Sequence, residues 1–166
     1  MTLFQSLLLG IVQGLTEFLP VSSSAHLVLV PFILNWTLDP TKVFIFDVLV
    51  QLGTLVSVIA YFWKDLLVIF KAVIAGIRSK KPFEDPNARL GWFTLLATVP
   101  AGLGGLLLKS KVEAAFSSPV LTAVLLFVTA VMLTLAEIFT RRERDLESLT
   151  PLDALVIGFF QVLAIF

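Results

Sequence analysis

The sequence predicts an all-α polytopic membrane protein with a re-entrant helical hairpin, three transmembrane helices and the start of an inverted repeat. Its 166 residues are 58% hydrophobic and only 14% charged, whereas a soluble domain is near half apolar and about a quarter charged. A membrane-spanning helix needs ~20 mostly apolar residues, and the apolar runs leave room for three spans and several shorter helices. The pattern GxxQxLxxF begins at Gly10 and again at Gly158, which indicates the repeat.

The chain carries no net charge and no cysteine. A neutral chain gives no sign of a nucleic-acid partner, and the lack of cysteine excludes disulfides and thiolate metal sites. The N-terminus has neither the basic region nor the small-residue cleavage site of a signal peptide, so Met1 is expected to begin the mature chain.

Residues 1–36 predict the re-entrant hairpin. A helix over residues 2–18 ends at Pro20, and a second helix starts after Ser23 or Ser24 and reaches about the end of this range. Neither helix is long enough for a comfortable span, and the link between them is polar. Non-helical backbone at membrane depth is tolerated only where it is buried in protein or lines a water-filled cavity.

The remaining residues predict the transmembrane helices of a single membrane domain over residues 1–166. The expected spans are residues 41–63, 88–108 and 119–140. Charged residues interrupt the apolar pattern after the first span, which indicates an interfacial amphipathic extension to residue 78. The second span is expected to kink at Pro100, and glycines near its end would let a neighbouring helix approach closely.

A final helix over residues 151–166 is expected to start the second copy of the repeat. Thr150 and Pro151 suit the N-cap and the first position of a helix. The nine-residue pattern recurs here with four matching positions. The two copies are expected to cross in opposite directions, as in membrane proteins whose inverted repeats meet near the midplane.

Basic residues predict the orientation of the bundle. They are concentrated between residues 78 and 89 and between residues 141 and 144, two loops that two crossings separate and that therefore share a side. The positive-inside rule makes that side cytoplasmic. The hairpin then enters from the outer side and the final helix enters from the inner side.

Gln13 and Glu17 stand four residues apart and share a helix face. Such a pair can hold a divalent cation through oxygen, or hold a proton near a phosphoryl group. The alternative is that Glu17 simply lies at a wet helix end. Ionisable groups at membrane depth cost ~2.5–3.5 kcal/mol each and are a functional hypothesis by default.

Ser22, Ser23 and Ser24 precede the second helix of the hairpin. One of them is expected to be its N-cap, a role that serine favours. A helix N-terminus also offers free N–H groups that bind phosphate, so one serine could cap while another attacks phosphorus. The residues alone leave open which serine would attack.

His26 is the only histidine of the chain. A lone histidine is usually structural, but a serine in the first turn of its helix could reach it. Beside Glu17 and the serines, it is interpreted as a general acid or base for phosphoryl transfer. Asp47 is instead expected to be a solvated acid near the outer end of the first span, without a catalytic role.

The run GIVQGLTEFLPVSSSAH, from Gly10 to His26, resembles the first signature of the undecaprenyl-diphosphate phosphatases, the bacitracin-resistance membrane enzymes. That family carries [E/Q]xxxEFLP[VI]SS[ST][GA]H here, and every position is matched. Further similarity covers FDVLVQLGTL from Phe46, WKD from Trp63, VPA from Val99 and ALVIGFFQVLA from Ala154. The resemblance spans the whole chain.

The resemblance implies a phosphatase that converts undecaprenyl diphosphate to undecaprenyl phosphate and phosphate, recycling the lipid carrier of cell-wall synthesis. It implies a bacterial inner membrane location, a site that opens to the periplasmic side, and a divalent cation, Mg²⁺ or Ca²⁺. The expected partners are a polyprenyl diphosphate, membrane lipid and a second copy in a homodimer.

Carried over by position, the family's roles fall on the hairpin. Glu17, Ser23 and His26 match its catalytic residues, with Ser23 as nucleophile and His26 as acid or base. Gln13, Ser22 and Ser24 are the expected substrate-binding residues, and the expected cation ligands are Glu17 with Gln13.

The family's second signature, PGxSRSG, is absent from residues 1–166. Its arginine is thought to hold the diphosphate, and phosphoryl transfer depends mainly on positioning and charge stabilisation. The sequence is therefore expected to be an N-terminal portion of such an enzyme and to be inactive alone.

Two alternatives to the phosphatase stay open. One is a lipid or small-anion transporter, and the other is a non-catalytic membrane fragment. A phosphatase with Ser23→Ala or His26→Ala would lose turnover and keep substrate binding, whereas a transporter would have no hydrolysis to lose.

Overall fold

Helices make up nearly all of the structure, a computed structural model in which residues 1–19, 21–140 and 145–164 are described. These residues contain the following α-helices: α1 Leu3–Phe18, α2 Ser23–Ile33, α3 Pro40–Tyr61, α4 Trp63–Arg78, α5 Pro86–Phe116, α6 Pro119–Phe139 and α7 Pro151–Leu163. A turn of 3-10 helix, Leu146–Ser148, precedes α7. No strand occurs within these ranges. The all-α prediction is confirmed.

Three of the helices, α3, α5 and α6, are long and apolar enough to cross a membrane. The shorter helices α1, α2 and α7 are also apolar. Three transmembrane helices were predicted, at these places in the chain. The chain is therefore a polytopic membrane protein, and most of its large apolar side chains point outward, as a lipid-facing surface requires.

Side chains near the ends of the helices explain where several of them begin. Thr2 accepts a hydrogen bond from the N–H of Gln5, whose side chain accepts one from the N–H of Thr2. Thr150 and Asp153 form the same capping box at the start of α7. These bonds satisfy N–H groups that have no partner within the helix. Thr150 as N-cap and Pro151 at the first position are both confirmed.

Several helix boundaries differ from the sequence prediction, and one of them is the end of α2, which lies at Ile33 and not near residue 36. The expected extension of the first span is a separate helix, α4, because Phe62 leaves the helical region with ψ of 15°. The second span was expected over 88–108, but α5 runs from Pro86 to Phe116 and contains Pro100. It starts earlier because Asp85 accepts bonds from two N–H groups of the first turn. It ends later because a helix need not stop where its sequence turns polar, and Lys, Glu and Ala are good helix formers.

The described residues divide into two compact units. The first comprises Met1–Val58 and Lys111–Thr140. The second comprises Ile59–Ser110 together with residues 145–164. The single domain over 1–166 and the opposite crossing of the two repeat copies stay predictions. Three sequence predictions fall outside the described residues. They are the helix end at Pro20, the basic loop Arg141–Arg144 and the last repeat position, Phe166.

The first unit is built on the hairpin. α2 packs against α1 and against α6. The fully or nearly buried side chains of these three helices are Leu9, Gln13, Ala25, Leu27 and Thr122. At the open end of the hairpin the rings of Phe4 and Trp36 meet edge to face, with centroids 6.5 Å apart.

Glycines bring the helices of the second unit together. At Gly91 of α5, an added Cβ would lie 2.7 Å from Val73 of α4. At Gly158 of α7 it would collide with the carbonyl oxygen of Ala97 in α5. Small residues let helix backbones approach closely in membranes. At the corresponding repeat position in the first unit, Gly10, an added Cβ would meet no atom of another helix within 4 Å among the described residues. The two copies of the pattern therefore differ in packing at this glycine.

Candidate active site

The tip of the hairpin brings a carboxylate and a hydroxyl into direct contact. Glu17 occupies the last turn of α1, and Ser23 is the first residue of α2. The Ser23 hydroxyl donates a 2.6 Å hydrogen bond to Glu17 Oε2. A bond this short is typical of a hydroxyl that donates to a carboxylate. Two of the predicted catalytic residues are therefore adjacent in the structure.

Gln13 completes this cluster from one turn earlier in α1. Its Nε2 donates a 2.8 Å bond to the same oxygen, Glu17 Oε2. The side chain is fully buried, and its other polar atom, Oε1, has no hydrogen-bond partner among the described residues. A buried carbonyl without a partner costs about 1–3 kcal/mol. The exposed carboxylate of Glu17 thus stands beside an unsatisfied oxygen, which is free to accept a donor or a cation.

Ser22 is the residue that shapes the turn. Its hydroxyl accepts a 3.3 Å bond from the N–H of Ala25, so it is the N-cap of α2. Its φ of 58° and ψ of 93° lie outside the ordinary regions for a residue with a side chain. Backbone strain of this kind costs about 1–3 kcal/mol and clusters at functional sites. Ser22 was predicted to bind substrate, and in the structure its hydroxyl is engaged in the cap.

His26 is fixed by the same turn. Its Nδ1 lies 2.8 Å from the carbonyl oxygen of Ser22, and because a carbonyl only accepts, Nδ1 must carry the proton. Nε2 of the neutral ring is then left with its lone pair. His26 makes no hydrogen bond to Ser23 in the described residues, so the partner of the Ser23 hydroxyl is Glu17 and not the histidine.

The N-terminus of α2 begins at Ser23, which contacts Glu17, and two of its N–H groups have no acceptor among the described residues. The N–H groups of Ala25 and His26 are bonded to Ser22, whereas those of Ser23 and Ser24 belong to the first turn, where no helical acceptor exists. Free N–H groups of this kind bind anions. Ser24 is half-buried and its side chain makes no hydrogen bond to the cluster. The tip thus combines a serine, an adjacent carboxylate base and backbone N–H groups of the kind that bind phosphate.

The tip can hold a divalent cation only if a bound phosphate and water supply further oxygen ligands. Among the described residues, no group of three or more His, Asp or Glu side chains could hold a metal ion. Gln13 Oε1 and Glu17 offer two oxygens. Mg²⁺ is often bound by one or two protein oxygens together with substrate phosphate and water. The predicted ligands therefore suit a cation that arrives with a phosphate.

Two features of this unit were not anticipated from the sequence. Asp47, expected to be solvated, lies two turns into α3, and its Oδ1 is buried without a partner among the described residues. The packing of α6 against α2 was not predicted either. Leu126, Thr129, Ala130 and Leu133 lie on one face of α6 near His26, and their spacing is the only sequence signal that could have indicated it.

The fold and the site define a class: an all-helical membrane protein with a serine–carboxylate pair at the tip of a helical hairpin. Residues 6–166 match the family described as bacitracin resistance protein BacA. The chain belongs to that family.

Curated relatives named undecaprenyl-diphosphatase align with nearly the whole chain. The proteins of Thermomicrobium roseum, Chlorobium phaeobacteroides and Micrococcus luteus are 43%, 45% and 40% identical to it. Each alignment covers 99% of this chain and 61%, 60% and 59% of the relative, respectively. The chain thus spans about three fifths of the length of the relatives it matches. No solved structure matches it.

Proposed function

We propose that this chain supplies the nucleophile and base of a membrane phosphatase that converts undecaprenyl diphosphate to undecaprenyl phosphate and phosphate. The observation that carries the proposal is the 2.6 Å hydrogen bond from the Ser23 hydroxyl to Glu17. A carboxylate in this position can remove the hydroxyl proton as the oxygen attacks. The family and the names of its relatives support the substrate.

In the first step, Ser23 Oγ attacks the terminal phosphorus and its proton passes to Glu17. The bond from that phosphorus to the bridging oxygen breaks, and undecaprenyl phosphate leaves with the bridging oxygen. The N–H groups of Ser23 and Ser24 stabilise the charge on the transferred phosphoryl oxygens, as preorganised donors do. A phosphoserine remains.

In the second step, water attacks the phosphoserine and the bond from phosphorus to Oγ breaks. His26 accepts the water proton on Nε2, the atom that the bond from Nδ1 to Ser22 leaves available. Glu17 returns the first proton to Ser23 Oγ. Phosphate then leaves with the proton held by His26, and the site is restored. His26 and Ser23 are three residues apart in α2 and share a face of that helix.

Mg²⁺ or Ca²⁺ would be held by Gln13 Oε1 and Glu17 together with the diphosphate. Bound there, the cation would neutralise charge on the phosphate oxygens. The buried, unsatisfied Oε1 of Gln13 supports this assignment. We further propose a bacterial plasma membrane location with the hairpin tip on the outer side, which the distribution of basic residues supports. The homodimer stays a prediction.

The test is phosphate release from undecaprenyl diphosphate in detergent micelles with Mg²⁺. The protein assayed is a chimera of residues 1–166 with the part of the Thermomicrobium roseum relative that the alignment does not cover, beside the chain alone. We expect turnover by the chimera that is lost in Ser23→Ala and kept in Ser24→Ala. Turnover by Ser23→Ala equal to the unsubstituted chimera would exclude the serine as nucleophile. Binding without any hydrolysis would favour the transporter alternative.

A further inference from the structure

One face of helix α4 is packed within the second unit. A Cβ added at Gly91 of α5 would lie 2.7 Å from Val73 and 2.9 Å from Ile69. A Cβ added at Gly76 would lie 3.1 Å from the Cα of Pro82. Ile69, Val73 and Gly76 are spaced i, i+4 and i+7, so they share a face of the helix. This face of α4 therefore packs against protein.

Three basic residues lie on the other side of the same helix. Lys64, Lys71 and Arg78 are spaced by seven residues, about two turns, and form one line along α4. At roughly 100° per residue, this line lies about 180° around the helix from the packed face. All three residues are exposed. We call this line the basic face.

The charge of the basic face is not neutralised within the part of the chain that the structure describes. None of its three residues forms an ion pair with a carboxylate there. Lys81 in the following loop differs, because its Nζ lies 3.0 Å from a carboxylate oxygen of Glu84. Helix α4 contains one acidic residue, Asp65, against three basic ones. The basic face is therefore suited to an anion from outside the chain.

A groove of about 540 Å³ runs along the C-terminal half of the basic face. It lies between two rows of side chains spaced by four residues, as grooves on a helix surface do. The rows are Phe70, Ile74 and Arg78 on one side and Lys71, Ala75 and Ser79 on the other. Phe70 is 63% exposed, and the hydroxyl of Ser79 is bonded to the carbonyl of Gly76. The groove thus has an apolar floor and two cations at its edges.

We propose that this groove binds an anionic phospholipid, with the phosphate held between Lys71 and Arg78 and an acyl chain along Phe70 and Ile74. The two basic residues are separated by a rise of roughly 10 Å, and their long side chains can both reach a phosphate between them. The inference does not depend on the proposed phosphatase activity.

The chemistry of the groove favours this occupant over others. A soluble anion would leave the ring of Phe70 in water, and a zwitterionic lipid would bring no net charge to the two cations. A second copy that docked through the same face would place like charges opposite one another, which is unfavourable. An amphipathic helix with basic residues among large apolar ones is typical of a surface that meets anionic lipid.

The absence of cysteine from the chain allows a direct test on the chain itself. Ile77→Cys, 52% exposed, places a bimane label on α4 beside the groove without lining it. Val128→Cys, 46% exposed on the uncharged middle of α6, is the matched control site. Both are placed in phosphatidylcholine nanodiscs with an equal small fraction of nitroxide-labelled phosphatidylglycerol or nitroxide-labelled phosphatidylcholine. The ratio of quenching by the two labelled lipids measures local enrichment of the anionic one.

We expect phosphatidylglycerol to be enriched at Ile77→Cys at low salt, by about fivefold for each of the two cations. The ratio should stay near one at Val128→Cys. Lys71→Gln with Arg78→Gln should abolish the enrichment, and the charge-retaining pair Lys71→Arg with Arg78→Lys should keep it. The control pair Lys42→Gln with Lys111→Gln makes the same change of charge elsewhere and should leave the enrichment unchanged. High salt should reduce it, because exposed charges are screened.

Several results would overturn the inference. A ratio near one at Ile77→Cys would mean that no anionic lipid is selected. Equal enrichment at both label sites would indicate a general effect of the bilayer. Enrichment that survives Lys71→Gln with Arg78→Gln would show that other groups recognise the lipid. Quenching by either lipid that falls when two chains share a nanodisc would assign the groove to a second copy.

Discussion

The hydroxyl of Ser23 donates a 2.6 Å hydrogen bond to Glu17 Oε2 across the turn that joins α1 to α2. The neighbouring hydroxyls are used differently. Ser22 caps α2, and Ser24 makes no hydrogen bond to the cluster within the described residues. One serine of the three is thus distinguished by its partner.

Ser23→Ala should lower the phosphate-release rate of the chimera by about 10³-fold or more, since it removes the nucleophile that Glu17 activates. Ser24→Ala should stay within about threefold of the unsubstituted chimera, because a side chain that makes no contact with the reacting groups contributes little to the transition state. Steady-state rates at saturating undecaprenyl diphosphate measure both. Equal losses in the two variants would contradict the assignment.

His26→Asn should separate the two roles of the histidine. The asparagine amide can take the place of Nδ1 and keep the bond to the Ser22 carbonyl, but it offers no base at the position of Nε2. We expect the rate to fall by about 10²–10⁴-fold, the range for general acid–base catalysis, while thermal unfolding is unchanged. His26→Ala should lose both activity and thermal stability. If His26→Asn remains fully active, the histidine is structural.

Substitutions at Gln13 should change the response to Mg²⁺. Gln13→Glu adds a carboxylate beside Glu17, and the Mg²⁺ concentration for half-maximal rate should fall about tenfold because ligand charge sets cation affinity. Gln13→Leu removes the oxygen and should weaken the response. It also removes a buried carbonyl without a partner, so its unfolding free energy should not decrease. A Mg²⁺ dependence that neither variant alters would place the cation elsewhere.

Replacing Ser22 by alanine and by glycine should have different effects on the stability of the chain. Ser22→Ala loses the cap and should cost about 1 kcal/mol, whereas Gly at an N-cap costs only a few tenths. Glycine also accepts a φ of 58° without strain. The unfolding temperature in micelles should therefore be at least as high for Ser22→Gly as for the unsubstituted chain, and it should be lower for Ser22→Ala. The reverse order would show that the backbone at Ser22 imposes no strain.

The contact between α5 and α7 predicts opposite effects at two helical glycines. Gly158→Ala would direct its Cβ against the carbonyl of Ala97 and should cost about 1–3 kcal/mol, as overpacking does. The added Cβ of Gly102→Ala meets no atom of the described residues within 4 Å, so this change should stabilise the chain by about 0.5–1 kcal/mol through helix propensity. Chemical denaturation in micelles compares them. If Gly158→Ala left the free energy of unfolding unchanged, α5 and α7 could move apart without loss of stability.

The sequence alone was sufficient to predict where most of the helices lie. Apolar runs of bilayer length indicated α3, α5 and α6, since backbone groups in lipid can be satisfied only within a helix. Thr150 and Pro151 marked the start of α7 because caps are local. The end of α5 at Phe116 was missed, because hydropathy reports where apolar residues stop and not where helical hydrogen bonds stop.

The sequence by itself also determined which residues form the candidate site. Gln13, Glu17, Ser23 and His26 are close along the chain, and a short hairpin keeps them close in space. Only the tertiary structure decided their pairing: the partner of Ser23 is Glu17, and His26 is held by Ser22. It alone placed α6 beside His26. Helix periodicity fixes which side chains share a face, but the choice of neighbouring helix depends on packing between segments ~100 residues apart, which no local pattern encodes.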